Sequence, residues 1–241
     1  MVRIESHFVK KVLFSISLLL IATVWTKAQA QDTLKIVAFG NSTTAPRKAV
    51  SKVYAVRLQD TLSHLGITAR VINAGVPGSH SGSVKDNNLH KVAHGMDRFE
   101  KDVLANVPNW LVISFGINDA WQDNGKQSPS RLSIEQYCNN LSYFIAQARK
   151  SKIRSILMTP NPIGKKYESW RHKRIKKYMR VTKRLAKQQE IPLVDVWALF
   201  YKNTNHQSNG VDALLLDGMH PNDAGQKIMS DTLIKIINQQ K

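Results

Sequence analysis

Five short runs of apolar residues punctuate the chain: "LKIVAFG" (34–40), "ARVINAG" (69–75), "NWLVISFG" (109–116), "RSILMTP" (154–160) and "PLVDVW" (192–197). They are rich in β-branched residues and nearly continuous rather than alternating, the pattern of strands covered on both faces. The segments between them change period. In "KAVSKVYAVRLQDTLSHLG", Val50, Val53, Tyr54, Leu58, Leu62 and Leu65 recur at helical spacing, and Gly66 supplies a stop. "MDRFEKDVLANV" is a second helical candidate. Ser133 stands three residues ahead of Gln136, a capping-box pattern that opens a third helix over "IEQYCNNLSYFIAQARK". Ile175, Tyr178, Val181 and Leu185 mark a fourth. A fifth starts near Pro221, whose fixed φ suits a first helical turn. Strand–helix alternation of this kind predicts an α/β fold, a parallel sheet of about five strands with helices on both faces. Four of the runs end at Gly40, Gly75, Gly116 and Pro160, and open sheets bind ligands beyond such carboxyl ends.

The first thirty residues break the pattern. Arg3, Lys10 and Lys11 precede an apolar run from Val12 to Trp25, and Ala28 and Ala30 then stand as A-x-A. A basic start, a short apolar middle and a small-residue end describe a secretory signal peptide cleaved near Ala30. The run is shorter than the roughly 20 residues of a membrane-spanning helix, and no cysteine stands at its end to carry lipid. Residues 31–241 then read as one exported domain, periplasmic or secreted, with no stable membrane anchor. Cys138 is the only cysteine among 241 residues, which rules out an intrachain disulfide and a Cys-based metal site. Its helical spacing with Ile134, Leu141 and Ile145 predicts a core thiol.

The formal charge is +18. Residues 1–30 hold four of the cations and one acid, so +15 remains on 31–241. The charge is concentrated: eleven Lys or Arg and one acid, Glu168, lie between Lys165 and Lys187. This is either a basic helix face that recruits a polyanion or a solvated face with no partner. No nucleic-acid-binding motif accompanies it, and export argues against a genomic partner.

Candidate chemistry gathers at the strand ends. "GNST" follows the first run, "NAGVPGSHSG" the second and "FGINDAW" the third, and "LLLDGMHPNDAG" precedes the last helix. Acyl transfer needs a nucleophile, a base, a carboxylate to orient the base, and donors for the oxyanion. Ser42, His220 and Asp217 match the first three types. Gly75 and Gly78 can present backbone N–H groups, and Asn118 offers an uncharged NH2 donor. Taken singly, Ser42 is also a good turn residue, the glycines suit turns, and Asp217 suits a helix cap.

In order and residue type these blocks resemble the SGNH hydrolases, also called the GDSL esterase/lipase family. Ser42 in "FGNST", Gly78 in "NAGVPG", Asn118 in "GIND", and Asp217 with His220 in "DGMHP" carry the resemblance, which spans about residues 34–240. It implies a flavodoxin-like, three-layer α/β/α sandwich and ester hydrolysis through an acyl-serine. It also implies Ser42, Asp217 and His220 as the catalytic triad. The oxyanion hole would be made by Ser42, Gly78 and Asn118, with Gly75 as the second choice of backbone donor, and neither metal nor cofactor is implied. The departure is Asn41, where the family usually has Asp. Asn keeps an acceptor oxygen for bracing the turn but loses the charge.

Trp121 and Asn161 are candidate substrate contacts, and His80, His90 and His94 read as surface or substrate-contact residues. The motifs look most like the exported members that remove acetyl groups from polysaccharide, and the basic segment suits an anionic one. The alternatives are a lipid or thioester acylhydrolase with the same triad, and a non-catalytic polyanion-binding protein of the envelope.

Overall fold

The computed structural model describes residues 33–239, so the expected signal peptide lies outside the described residues. Five strands, β1 (Leu34–Gly40), β2 (Ala69–Gly75), β3 (Trp110–Ser114), β4 (Arg154–Met158) and β5 (Leu193–Val194), form a parallel sheet in the order β2-β1-β3-β4-β5. The helices are α1 (Tyr54–His64), α2 (Gly95–Asp102), α3 (Ile117–Ala120), α4 (Ile134–Lys150), α5 (Ser169–Gln188), α6 (Val196–Thr204) and α7 (Asp223–Gln239).

Alternate residues of β1 enter two different cores, because successive strand side chains point to opposite faces. Val37 and Phe39 pack with Phe99 of α2, Phe144 of α4 and Leu185 of α5. Ile36 and Ala38 pack with Leu58 of α1, Phe200 of α6 and Leu233 of α7. The result is the expected α/β/α sandwich. Its strand order reverses between β1 and β3, and a sheet of this order opens its binding crevice there.

The apolar runs locate all five strands, but two expectations need correction. The run at 192–197 yields only a two-residue strand. Asp195 accepts a hydrogen bond from the Ala198 N–H at 3.1 Å, capping α6 and ending β5 early. The continuously apolar "VWALF" concealed that helix. Cys138 is only partly buried, packed against the edge of the core rather than inside it. The capping box at Ser133 forms as read: its hydroxyl accepts from Gln136 N–H at 3.0 Å, and Gln136 Oε1 accepts from Ser133 N–H at 2.9 Å.

The carboxyl ends of β1 and β2 are tied together by Arg98, which sequence pattern did not reveal. Its buried guanidinium donates to the Gly40 carbonyl at 2.6 Å, to the Ala74 carbonyl at 2.7 Å and to Asp102 at 2.9 Å. Its face lies 4.3 Å from the Phe39 ring centroid. The turn after β1 then presses onto the end of β2. A Cβ at Gly75 would lie 2.7 Å from both Ala45 Cα and the Thr44 carbonyl carbon, so only glycine fits. Arg98→Ala should destabilise the protein by about 3 kcal/mol or more, since it removes three buried hydrogen bonds, leaves the Gly40 carbonyl with the Val76 N–H alone and takes the cation from Asp102. Urea unfolding measures this, and a loss below about 1 kcal/mol would overturn the assignment of Arg98 as the tie.

Candidate active site

Asn41 builds the turn that presents Ser42. Its carbonyl accepts from Thr44 N–H at 3.1 Å and Ala45 N–H at 3.0 Å, so the chain curls as β1 ends. Its Oδ1 accepts from Thr43 N–H at 3.0 Å and the Thr43 hydroxyl at 2.9 Å. Both bonds need an acceptor oxygen and neither needs a charge, which is how Asn stands where the family has Asp.

Ser42 Oγ lies 3.0 Å from His220 Nε2, and His220 Nδ1 lies 2.8 Å from Asp217 Oδ2. Asp217 also accepts from the His220 and Met219 N–H groups, at 2.9 and 3.1 Å. Burial opposes its charge, but these bonds outweigh burial and hold its pKa down to about 2. An ionised carboxylate on Nδ1 keeps the proton there and leaves Nε2 free to accept from Ser42. Burial, followed by the cation Arg47, pushes His220 below the ordinary imidazole value against the pull of Asp217.

Two other strand ends meet this serine. Gly78 adopts φ +81°, a left-handed turn closed by Ser79 N–H donating to the Val76 carbonyl at 3.2 Å. The Gly78 and Ser42 N–H groups donate to no protein acceptor among the described residues. Asn118 Nδ2 donates to the Ser79 carbonyl at 2.8 Å, which spends one of its two hydrogens. Asp119, fully buried, accepts from Ser81 N–H at 2.8 Å and Gly116 N–H at 2.9 Å and so joins the two loops. The resulting cleft of about 430 Å³ is lined by Ser42, Gly78, Asn118, Trp121 and His220, with Arg47, His90 and Arg131 among its neighbours. Such a set can hold a carbonyl carbon against a hydroxyl nucleophile and its oxygen against N–H donors.

Some expectations change. The Gly75 N–H donates to Asn73 Oδ1 at 3.0 Å, so it is not available to an oxyanion. Asn161 does not line the cleft. It is buried, and its Nδ2 donates to the Met219 carbonyl at 2.8 Å and the Pro162 carbonyl at 2.9 Å, bracing the loop that carries His220. Trp121 does line the cleft. Arg171 lies 4.2 Å over its ring, and Tyr167 meets it edge-on at 5.8 Å. Arg131 was not anticipated, since nothing in "SPSRLS" marks it. It grips Asp123 at 2.7 and 3.0 Å and places a third N–H 3.4 Å from Asn118 Oδ1.

Of the three histidines after β2, only His90 reaches the cleft. His80 and His94 are buried, stacked with ring centroids 3.6 Å apart. His94 Nδ1 accepts from His80 N–H at 3.2 Å, and His80 Nδ1 accepts from Gly82 N–H at 3.1 Å. In both rings Nδ1 is therefore the acceptor that closes the loop. Burial, and then the His80 charge, lower the His94 pKa from 6.5 to about 4. A histidine depressed in the folded state contributes stability above its unfolded pKa. That contribution fades as pH falls from about 6.5 toward about 4. Thermal unfolding midpoints should fall across this window, and His94→Gln should flatten the dependence. An unchanged slope in that variant would refute the assignment.

Residues 38–228 match the model of the GDSL-like lipase/acylhydrolase family. An acetylxylan esterase from Geobacillus stearothermophilus is 29% identical over 182 residues, 75% of this chain and 76% of that one. The YqeF lipoprotein of Bacillus subtilis is 29% identical over 236 residues, 88% of each. The crystal structure of the Geobacillus stearothermophilus acetylxylan esterase superposes with a TM-score of 0.66 at 26% identity, covering 85% of this chain and 94% of that one. With the sheet order, the strand-end loops and the family match in agreement, the chain belongs to the GDSL-like lipase/acylhydrolase family and is a carboxylic ester hydrolase.

Proposed function

We propose that this hydrolase is an exported acetylesterase acting on polysaccharide, with Ser42, His220 and Asp217 as its catalytic triad. The observation that carries the reading is the relay from Ser42 Oγ through His220 to Asp217, at 3.0 and 2.8 Å. As Oγ attacks the acetyl carbonyl, Nε2 takes the serine proton. The tetrahedral oxyanion is held by the N–H groups of Ser42 and Gly78 and the free Nδ2–H of Asn118. The imidazolium then protonates the departing sugar oxygen, leaving acetyl-Ser42. Water, deprotonated by Nε2, attacks the acetyl-enzyme; the serine regains its proton and acetate leaves. Asp217 keeps its charge throughout and stabilises the imidazolium.

An acetyl ester on a polysaccharide is supported by the relatives that are acetylxylan esterases. Export is supported by the leader pattern of residues 1–30 and by a relative that is a lipoprotein. Among the described residues no helix is long and apolar enough to cross a membrane. The net charge and the cations Arg47 and Lys166, both of which act on His220, favour an acidic glycan as acceptor.

Ser42→Ala should reduce acetate release from acetylated polysaccharide by about 10³-fold or more, and Asn118→Ala should lower kcat by about 10²–10³-fold. Activity of Ser42→Ala within tenfold of wild type would sink the triad, and a wild type that cleaves no ester would hand the fold to a binding role. On p-nitrophenyl esters, rates should fall sharply beyond short acyl groups; a preference for long chains would favour a lipid acylhydrolase instead. The pH profile follows from His220. The base works only unprotonated, so kcat/KM should fall as pH drops through a value below 6.5, and Arg47→Gln should raise that midpoint. A wild-type acid limb centred above 6.5 would contradict burial as the dominant influence on His220.

A further inference from the structure

A groove of about 770 Å³ lies outside the cleft, between α5 and α6. One wall is a single face of α5: Ser169, His172, Lys173 and Lys176 stand at i, i+3, i+4 and i+7. The facing wall is Trp197 and Tyr201, four residues apart on α6, with ring centroids separated by 6.0 Å. Lys165 and Tyr167 complete the lining.

The charge in this groove is of one sign. No carboxylate lines it. Lys173 and Lys176 are exposed and have no acidic partner among the described residues, and Lys165 Nζ donates only to the Ser208 carbonyl, at 3.1 Å. The sole acid of the basic segment, Glu168, is already bound to Arg171 at 2.9 Å. Rings beside unpaired ammonium groups match a sugar that carries carboxylates: aromatic faces stack on pyranose rings, and lysines meet the acids. Helical rise sets Lys173 and Lys176 about 4.5 Å apart along the axis, comparable to one sugar unit of a chain lying along α5.

The groove adjoins the cleft through one ring contact. Tyr167 belongs to its lining and also meets Trp121, a wall of the cleft. Lys166, its neighbour, sits 5.2 Å over the Tyr167 ring and acts electrostatically on His220. His172 donates to the Tyr167 carbonyl at 3.2 Å and fixes the junction to α5.

We propose that this groove is a second subsite that binds an acidic polysaccharide, a chain of uronic acid units, and leads it past Tyr167 and Trp121 to Ser42. The proposal rests on the esterase reading for its purpose, though not for its binding step. Duplex DNA and anionic vesicles offer charge without pyranose rings, and the ring wall favours the glycan over either.

The test uses Ser42→Ala protein, which binds without turnover, and polygalacturonate as the probe. Binding should be at least tenfold tighter than to neutral xylan and should weaken steeply with salt. Lys173→Glu with Lys176→Glu should reduce it at least tenfold, and Tyr201→Ala severalfold. In otherwise wild-type protein, the same lysine changes should raise KM for acetylated pectin while leaving p-nitrophenyl acetate hydrolysis unchanged, which also certifies folding. Equal binding of xylan, undiminished binding in the lysine variant, or equally tight lysine-dependent binding of duplex DNA or anionic vesicles would each overturn the subsite. A wild type inert toward every ester but showing the full polygalacturonate pattern would remove the esterase reading and keep the groove.

Discussion

The site depends on a buried cation. Arg98 comes from a helix 58 residues beyond Gly40, yet its guanidinium grips the last carbonyl of β1 and the penultimate one of β2. Stripping water from a guanidinium is costly, and here it is offset by three hydrogen bonds from the two terminal nitrogens and by the Phe39 ring against one face, while Nε is left without a partner among the described residues. The consequence is positional. The serine turn and the glycine turn are registered against each other before any substrate arrives. Asp119 repeats the device with no ion-pair partner among the described residues, using two backbone N–H groups to register the third loop. Oxyanion stabilisation needs donors that are aimed in advance, and these buried contacts do the aiming.

Much of this was legible in the sequence because its signals are local. Strands covered on both faces must be apolar along their length, so five runs could be read as five strands. Turn chemistry has to sit where strands stop, so Ser42, Gly78 and Asn118 could be found by where they fall. Asp217 and His220 pair across three residues, within reach of any local reading. The losses have equally physical causes. α6 is apolar on nearly every side and begins immediately after a strand, so its period was hidden. Arg98 and Arg131 act through contacts 13 to 58 residues away in sequence, and a lone arginine carries no local mark of burial. Asn161 is polar because it braces a neighbouring loop, a reason indistinguishable in sequence from substrate contact. His80 and His94 looked like surface residues because nothing local shows that two imidazoles stack under a loop.

Asn41 illustrates how a departure from a family pattern can be weighed by counting hydrogen-bond roles. Its side-chain oxygen receives two donors and its backbone oxygen two more, and none of the four asks for a full negative charge. Arg47 and Lys166 both act on His220, whose imidazole is held toward its neutral form, chiefly by burial. An uncharged residue beneath the serine suits that balance, since a buried carboxylate would draw the imidazole back toward protonation.

The loop from Asp217 to His220 is pinned by Leu216 N–H on the His220 carbonyl at 2.8 Å, by Gly164 N–H on the Gly218 carbonyl at 2.6 Å, and by Asn161. Asp217 and His220 therefore travel as one short piece of chain, while Ser42 is 178 residues distant. The tautomer of the imidazole is decided by a neighbour it can never leave. For this relay, long-range folding has to supply one further distance, from Nε2 to Oγ, beyond the registration of the strand-end loops by Arg98 and Asp119.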